Sequence, residues 1–277
     1  MNTKIKESDL DFVVETAAPE FKDKEKLKQL IKEDPDFRKG LIGDEKVFRK
    51  IMADEEIMVK ISSTLFFEIL FRRAREELEK VSYTIERTSS QRIPVFDRPE
   101  VIQFLAEERN LIYLAEMLSS FTRIESFTLP VRVRKGVWRK IRFSDMDIDS
   151  LSRFCQAVDE EHRFGFYKRI ADVCLFIMGV FPEYVQWDYR YPSGELRPKI
   201  RGTTHRRWMP RRSAEEYEEE GRKFYQLAAE HPTAKVVKLE EVFWQLHQKF
   251  NLAKKPLDFM SQHYLHFKKQ KLFDVES

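Results

Sequence analysis

Glycine is scarce in this chain, with 8 residues among 277. Folds built from many tight turns draw on glycine for left-handed backbone, so the shortage favours helices over an all-β architecture. Cysteine is scarcer still. Cys155 and Cys174 both fall in apolar helical patterns, where they read as small buried hydrophobes and not as a secreted disulfide framework. The longest apolar run, VCLFIMGVF at 173–181, has nine residues, too short to cross a bilayer. The opening stretch MNTKIKESDLDFVVE lacks the apolar core of a secretory signal. Net charge is small, at +3, so no global field toward nucleic acid or membrane is implied and local clustering must carry any such argument. Nucleotide-loop, nucleophile-elbow, Cys-x-x-Cys and His-Glu-x-x-His motifs are missing. These absences point to a soluble, cytoplasmic chain without membrane insertion.

What is present suits a helical core. Apolar residues make up 42% and include 23 Phe, while 35% of the chain is charged and mean hydropathy is −0.55. The expected fold is mostly α (α+β), a single helical domain with one or two small β-hairpins. Residues 1–60 are expected as an N-terminal helical segment packed on a main domain over 61–277. Short helices are expected at 8–18 and 22–33, split by Pro19, and after Asp44. A strong helix is expected from Thr64 to Lys80, with Ser62 or Ser63 as N-cap. Its first half is apolar nearly all round and its second half is charged. Alternating segments place hairpins near 82–97 and 127–143, with a helix from Pro99 to Phe121 between them. Ser213 with Glu216 is a capping-box signature for a helix over 214–230. Two more helices, near 234–250 and 256–268, close the chain.

The stretch from Asp145 to Glu183 predicts two consecutive helices that break near Gly165 and stop at Gly179 and Pro182. Asp172 lies inside RIADVCLFIMGVF, with apolar residues around most of the helix. His162 continues the apolar face of Leu151, Cys155 and Val158. Buried charge is costly unless paired, so these positions require a reason. One reason is a pairing of Asp172 with Arg169 or Arg123 and a hydrogen-bonded core histidine. Another is a metal site, since carboxylates and imidazoles converging from several helices hold iron, manganese or zinc. Glu68, His162 and Asp172 are its candidate ligands, with Glu116 and Glu161 nearby in pattern. Asp159 and His162 have i, i+3 spacing, but no second such pair accompanies them.

The second constellation is YRYPSGELRPKIRGTTHRRWMPRR, with eight Lys or Arg against one Glu. Its candidate anion-binding residues are Arg197, Lys199, Arg201, Arg206, Arg207, Trp208, Arg211 and Arg212. Basic residues interleaved with aromatics suit phosphate backbones and exposed bases, and guanidiniums also grip carboxylates in pairs of hydrogen bonds. Arg132, Arg134 and Arg139, with Arg142, extend the patch if the strands share its surface. The alternative is intramolecular, because the acidic run EEYEEE follows directly. His247, His263 and His266 form a third set, with no carboxylate or cysteine spaced to complete a metal site.

The segments ISSTLFFEILFRRA, SYTIER with RIPVFD, YLAEMLSSFTR, RIADVCLFIMGVFPE and YEEEGRKFYQLAAEH resemble a family of uncharacterised bacterial helical proteins. The resemblance is scattered over residues 61–231, departs from the family pattern at Ala171, where a glycine is expected, and implies that these segments belong to one domain. It carries no activity. The functional expectation is a non-catalytic binding or regulatory protein recognising an anionic partner, protein or nucleic acid, through the basic loop. The alternative is a helical metal-dependent enzyme built on Glu68, His162 and Asp172.

Overall fold

The computed structural model describes residues 5–81, 83–87, 92–95, 97–123, 126–134, 137–183, 185, 199–200, 212–266, 268–273 and 275–276. The chain is mostly helical and divides into two compact units. Met1–Thr84 with Phe96–Ser119 form the first, and Ile85–Val95 with Ser120–Ser277 form the second. The division therefore falls beyond residue 60.

In the first unit, α1 (Glu7–Ala17), α2 (Lys24–Glu33), α3 (Pro35–Ile42), α4 (Glu45–Ala53) and α5 (Ile57–Lys60) precede α6 (Ser63–Leu78). Aspartates start three of them: Asp23, Asp34 and Asp44 each accept a backbone N–H of the following first turn. Ser62 caps α6 by accepting from Leu65 N at 3.1 Å. The Asp9 carboxylate accepts from Ser62 N at 2.7 Å and Oγ at 2.6 Å, tying α1 to that helix start. Leu65 to Phe71 are all buried, as the apolar first half of α6 predicts. The helix expected from Pro99 to Phe121 is two helices, α7 (Arg98–Ala106) and α8 (Glu108–Phe121). Glu107 is extended between them, and buried Asn110 donates to the Phe104 carbonyl at 3.2 Å, closing the end of α7. The apolar periodicity runs across this break and so conceals it.

Strand pairing joins β1 (Thr84–Arg87) to β2 (Arg92–Val95), and β3 (Ser126–Arg134) to β4 (Val137–Ser144). The β3–β4 pairing is antiparallel, with Val131 opposite Arg139 and Arg132 opposite Trp138. The hairpin turns expected at 88–91 and 135–136 lie outside the described residues.

The second unit is organised around α10 (Phe164–Val180), in which nearly every residue from Ile170 onward is buried. Packed on it are α9 (Ile148–Ala157), α11 (Ala214–Glu230) and α14 (Phe250–His263). Gly221 permits the close approach of α11. A Cβ there would lie 2.5 Å from the Phe250 ring and 3.0 Å from Cys174 Cβ. The expected capping box forms, with Ser213 Oγ accepting from Glu216 N and the Glu216 carboxylate accepting from Ser213 N. Beyond α11 the order differs from expectation. A short α12 (Pro232–Val236) leads through Lys238, at φ 60°, to α13 (Glu240–Gln248), and α14 carries Pro256 in its interior instead of beginning there. A final turn, α15 (Lys269–Leu272), precedes β6 (Val275–Glu276), which pairs with β5 (Lys199–Ile200). Among the described residues, no helix is long and apolar enough to cross a membrane.

Candidate functional site

Asp172 is fully buried, as its apolar helix predicts, and it is doubly held. Lys168, one turn earlier on α10, donates to Oδ2 at 2.6 Å, and the hydroxyl of buried Tyr225 on α11 donates to Oδ1 at 2.9 Å. These are Lys168 and Tyr225, where the sequence suggested Arg169 or Arg123. Arg169 instead binds Asp145 through Oδ2 at 2.5 Å and the backbone carbonyl at 3.1 Å, donates to Ser120 Oγ, and lies 4.0 Å over the Phe121 ring. That arrangement fixes the chain leading into α9.

His162 corrects the sequence reading. The first helix ends at Ala157, and Val158 is extended, so the periodicity through Leu151 and Cys155 stops before reaching the histidine. His162 sits in a 3₁₀ turn, Glu160–His162, with its side chain 69% exposed and Glu161 at 3.7 Å. The two helices do break near Gly165: α9 ends at Ala157 and α10 starts at Phe164, with Gly165 in its first turn.

Glu68 is buried in the first unit and satisfied there. Its Oε1 accepts from Arg72 at 2.6 Å and its Oε2 from Arg38 at 3.0 Å. Arg72 also reaches Glu108 at 2.5 Å. Burial works against the Arg72 charge, but the two carboxylates outweigh it and raise the guanidinium above its ordinary pKa. The metal expectation is therefore corrected. Glu68 and Asp172 are engaged by cations of their own, His162 faces solvent, and no group of three or more His, Cys, Asp or Glu among the described residues is placed to hold a metal ion. The third histidine set is likewise dispersed into local hydrogen bonds: His247 Nδ1 contacts the Arg222 carbonyl, and His263 Nδ1 the carbonyl of Phe259.

Of the basic segment, Arg212 is described with its side chain, and it is already paired. Its Nη2 donates to Asp149 at 2.5 Å and its Nε to Glu220 at 2.7 Å, joining α9 to α11. Burial opposes this charge too, and Glu220 and Asp149 overcome it, raising the Arg212 pKa. Arg212 is thus an anchor and leaves the candidate anion-binding set. Arg197, Arg201, Arg206, Arg207, Trp208 and Arg211 lie outside the described residues. Lys199, Arg132, Arg134 and Arg139 are placed by their strand backbones.

Three carboxylates of the acidic run that follows have partners of their own. Glu216 closes the capping box, Glu218 accepts from Asn251 at 2.7 Å, and Glu220 holds Arg212. Beside this pair sits Cys174, whose thiol burial pushes well above its ordinary pKa, with Glu220 adding to the rise. It is an inert packing residue against Gly221, not a nucleophile. The partners at i, i+4, Lys168 for Asp172 and Arg72 for Glu68, could have been found from spacing alone. Tyr225, Arg38 and Asp149 come from other elements and had no local signal.

Comparison with known proteins finds no match to a family model, to a curated protein or to a solved structure.

Proposed function

We propose that the chain is a cytoplasmic, non-catalytic binding or regulatory protein, helical with small β-hairpins at 82–97 and 127–143. It recognises an anionic macromolecule, protein or nucleic acid, through the basic segment ending at Arg211, extended by Arg132, Arg134 and Arg139. The observation that carries this reading is the density of basic residues over 197–211, where the chain holds six Lys or Arg and no Asp or Glu. Of the acidic run that follows, Glu216 and Glu218 accept from Ser213 and Asn251, and Glu220 holds Arg212. Arg197, Lys199, Arg201, Arg206, Arg207 and Arg211 form a dense positive run in the sequence, with Trp208 among them as an aromatic that can stack on a base. Arg212 contributes by fixing the exit of the segment to α9 and α11.

The test is binding of two fluorescent probes, a single-stranded oligonucleotide and an acidic peptide, to the wild type and to the Arg206→Ser, Arg207→Ser, Arg211→Ser triple variant. The reading expects the variant to bind the favoured probe more weakly, with its melting temperature unchanged. Equal binding by both proteins, or binding of neither probe by the wild type, removes it.

A further inference from the structure

A buried imidazole ties distant parts of the second unit together. His231 stands between α11 and α12 and is 7% exposed. Its Nε2 lies 3.0 Å from the carbonyl oxygen of Glu160, in the 3₁₀ turn 71 residues earlier. Its Nδ1 lies 3.2 Å from the backbone nitrogen of Thr233. A carbonyl only accepts and a backbone amide only donates. Nε2 therefore carries the ring proton, Nδ1 presents a lone pair, and both contacts require the neutral imidazole.

The same ring starts α12. Pro232 brings no N–H, and Ala234 N donates to the His231 carbonyl at 2.9 Å, so the Thr233 N–H is the donor of that first turn served by the side chain. A serine at this position would cap at any pH, whereas a histidine loses its acceptor when it gains a proton. The ring otherwise meets aromatic surface, with centroids 5.6 Å from Phe164 and 6.4 Å from Tyr167. The charged groups on the surrounding elements are engaged elsewhere or exposed. Glu160 and Glu161 are exposed, Arg163 donates to the Val158 carbonyl, Glu230 accepts from Gln226, and Lys235 lies 3.7 Å from Glu240. Among the described residues, no carboxylate is bonded to the ring to receive a second proton.

We infer that His231 is an acid-sensitive latch, closed when neutral and opened by protonation, between the α11–α12 junction and the turn that leads into α10. The inference is independent of the anion-binding reading. A second proton can enter only at Nδ1. There it sets two N–H groups against each other, removes the cap on Thr233 and places positive charge at the start of a helix, where it is disfavoured. The opened ring takes up that proton without these losses. The open form therefore binds more protons than the closed one, and the latch weakens as pH falls.

The experiment follows hydrogen exchange of the Thr233 amide by NMR in the wild type and in His231→Asn, which keeps an acceptor at the cap but does not titrate. A solvated imidazole takes up its second proton at about pH 6.5, so one unit lower the open form gains about ten-fold. Between pH 7.5 and 5.5 the Thr233 protection factor, corrected for the intrinsic pH dependence of exchange, should fall about ten-fold in the wild type and stay level in His231→Asn. Nitrogen shifts of the wild-type ring at pH 7.5 should show the Nε2–H tautomer, a reading that needs no variant. An Nδ1–H tautomer overturns the inference, and so does a wild-type protection factor that is constant over this range. An equal fall in both proteins also overturns it, because Glu160, Glu161 and His162 are unchanged in the variant and would then be the cause. Should His231→Asn fail to fold, a wild-type loss of protection that does not track the His231 ring resonances refutes the latch.

Discussion

Lys168→Met should be the costliest single change in the Asp172 cluster, although Lys168 is the more exposed partner. The Asp172 carboxylate is fully buried, whereas the Lys168 side chain is 31% exposed. Removing the lysine leaves a buried charge without its cation, a loss of about 3–5 kcal/mol. Asp172→Leu releases the lysine to water and leaves the Tyr225 hydroxyl short of its acceptor, which costs about 1–3 kcal/mol. The double variant Lys168→Met, Asp172→Leu no longer contains the stranded carboxylate. It should fall near the Asp172→Leu value, giving a coupling energy of about 3–5 kcal/mol between the two sites. Urea unfolding at pH 7, compared by midpoint at constant slope, measures all three. If Lys168→Met costs less than about 0.5 kcal/mol, or the double variant equals the sum of the singles, the charge of Asp172 is not held by Lys168 and the reasoning fails.

Other consequences are local. Gly221→Ala drives a methyl into the Phe250 ring and should destabilise the fold by about 1–3 kcal/mol, read as a lower urea midpoint. Arg212→Ser strands Asp149 and Glu220 and should cost about 2–3 kcal/mol, less than a wholly buried pair because the guanidinium is 20% exposed. The Arg206, Arg207, Arg211 triple variant should leave the midpoint in place. The folded-state pKa of Cys174 is raised by burial, so its contribution to stability is complete below the unfolded thiol value of roughly 8.5 and declines as pH rises above it. Urea midpoints taken from pH 7 to 10 should fall less steeply in Cys174→Ala than in the wild type.

Helix starts were the most legible features of the sequence, because an aspartate or serine cap acts on the next three residues. Asp44, Ser62 and Ser213 all do so. Burial of Asp172 was legible from the continuous apolar helix around it. His162 was misread because helical periodicity extends on paper past a helix that ends at Ala157. The break at Glu107 depends on a side-chain cap from Asn110, and the continuation through Pro256 on tertiary packing, so neither interrupts the apolar pattern. The metal expectation failed for a related reason. Periodicity shows which carboxylates are buried but not which partners reach them, and Arg38 and Tyr225 arrive from elements 30 and 53 residues away.

Salt dependence of anion binding tests the central claim most directly. Each nucleic-acid phosphate neutralised contributes about −0.7 to the slope of log affinity against log salt for single strands, and acidic peptides are screened in the same direction. Titrations of the oligonucleotide and acidic-peptide probes from 50 to 200 mM salt should show affinity for the favoured probe falling steeply in the wild type. Where that probe is the oligonucleotide, the Arg206, Arg207, Arg211 triple variant should lose about 2 from the slope. Affinities indifferent to salt, or identical slopes in wild type and variant, would contradict recognition through this basic segment.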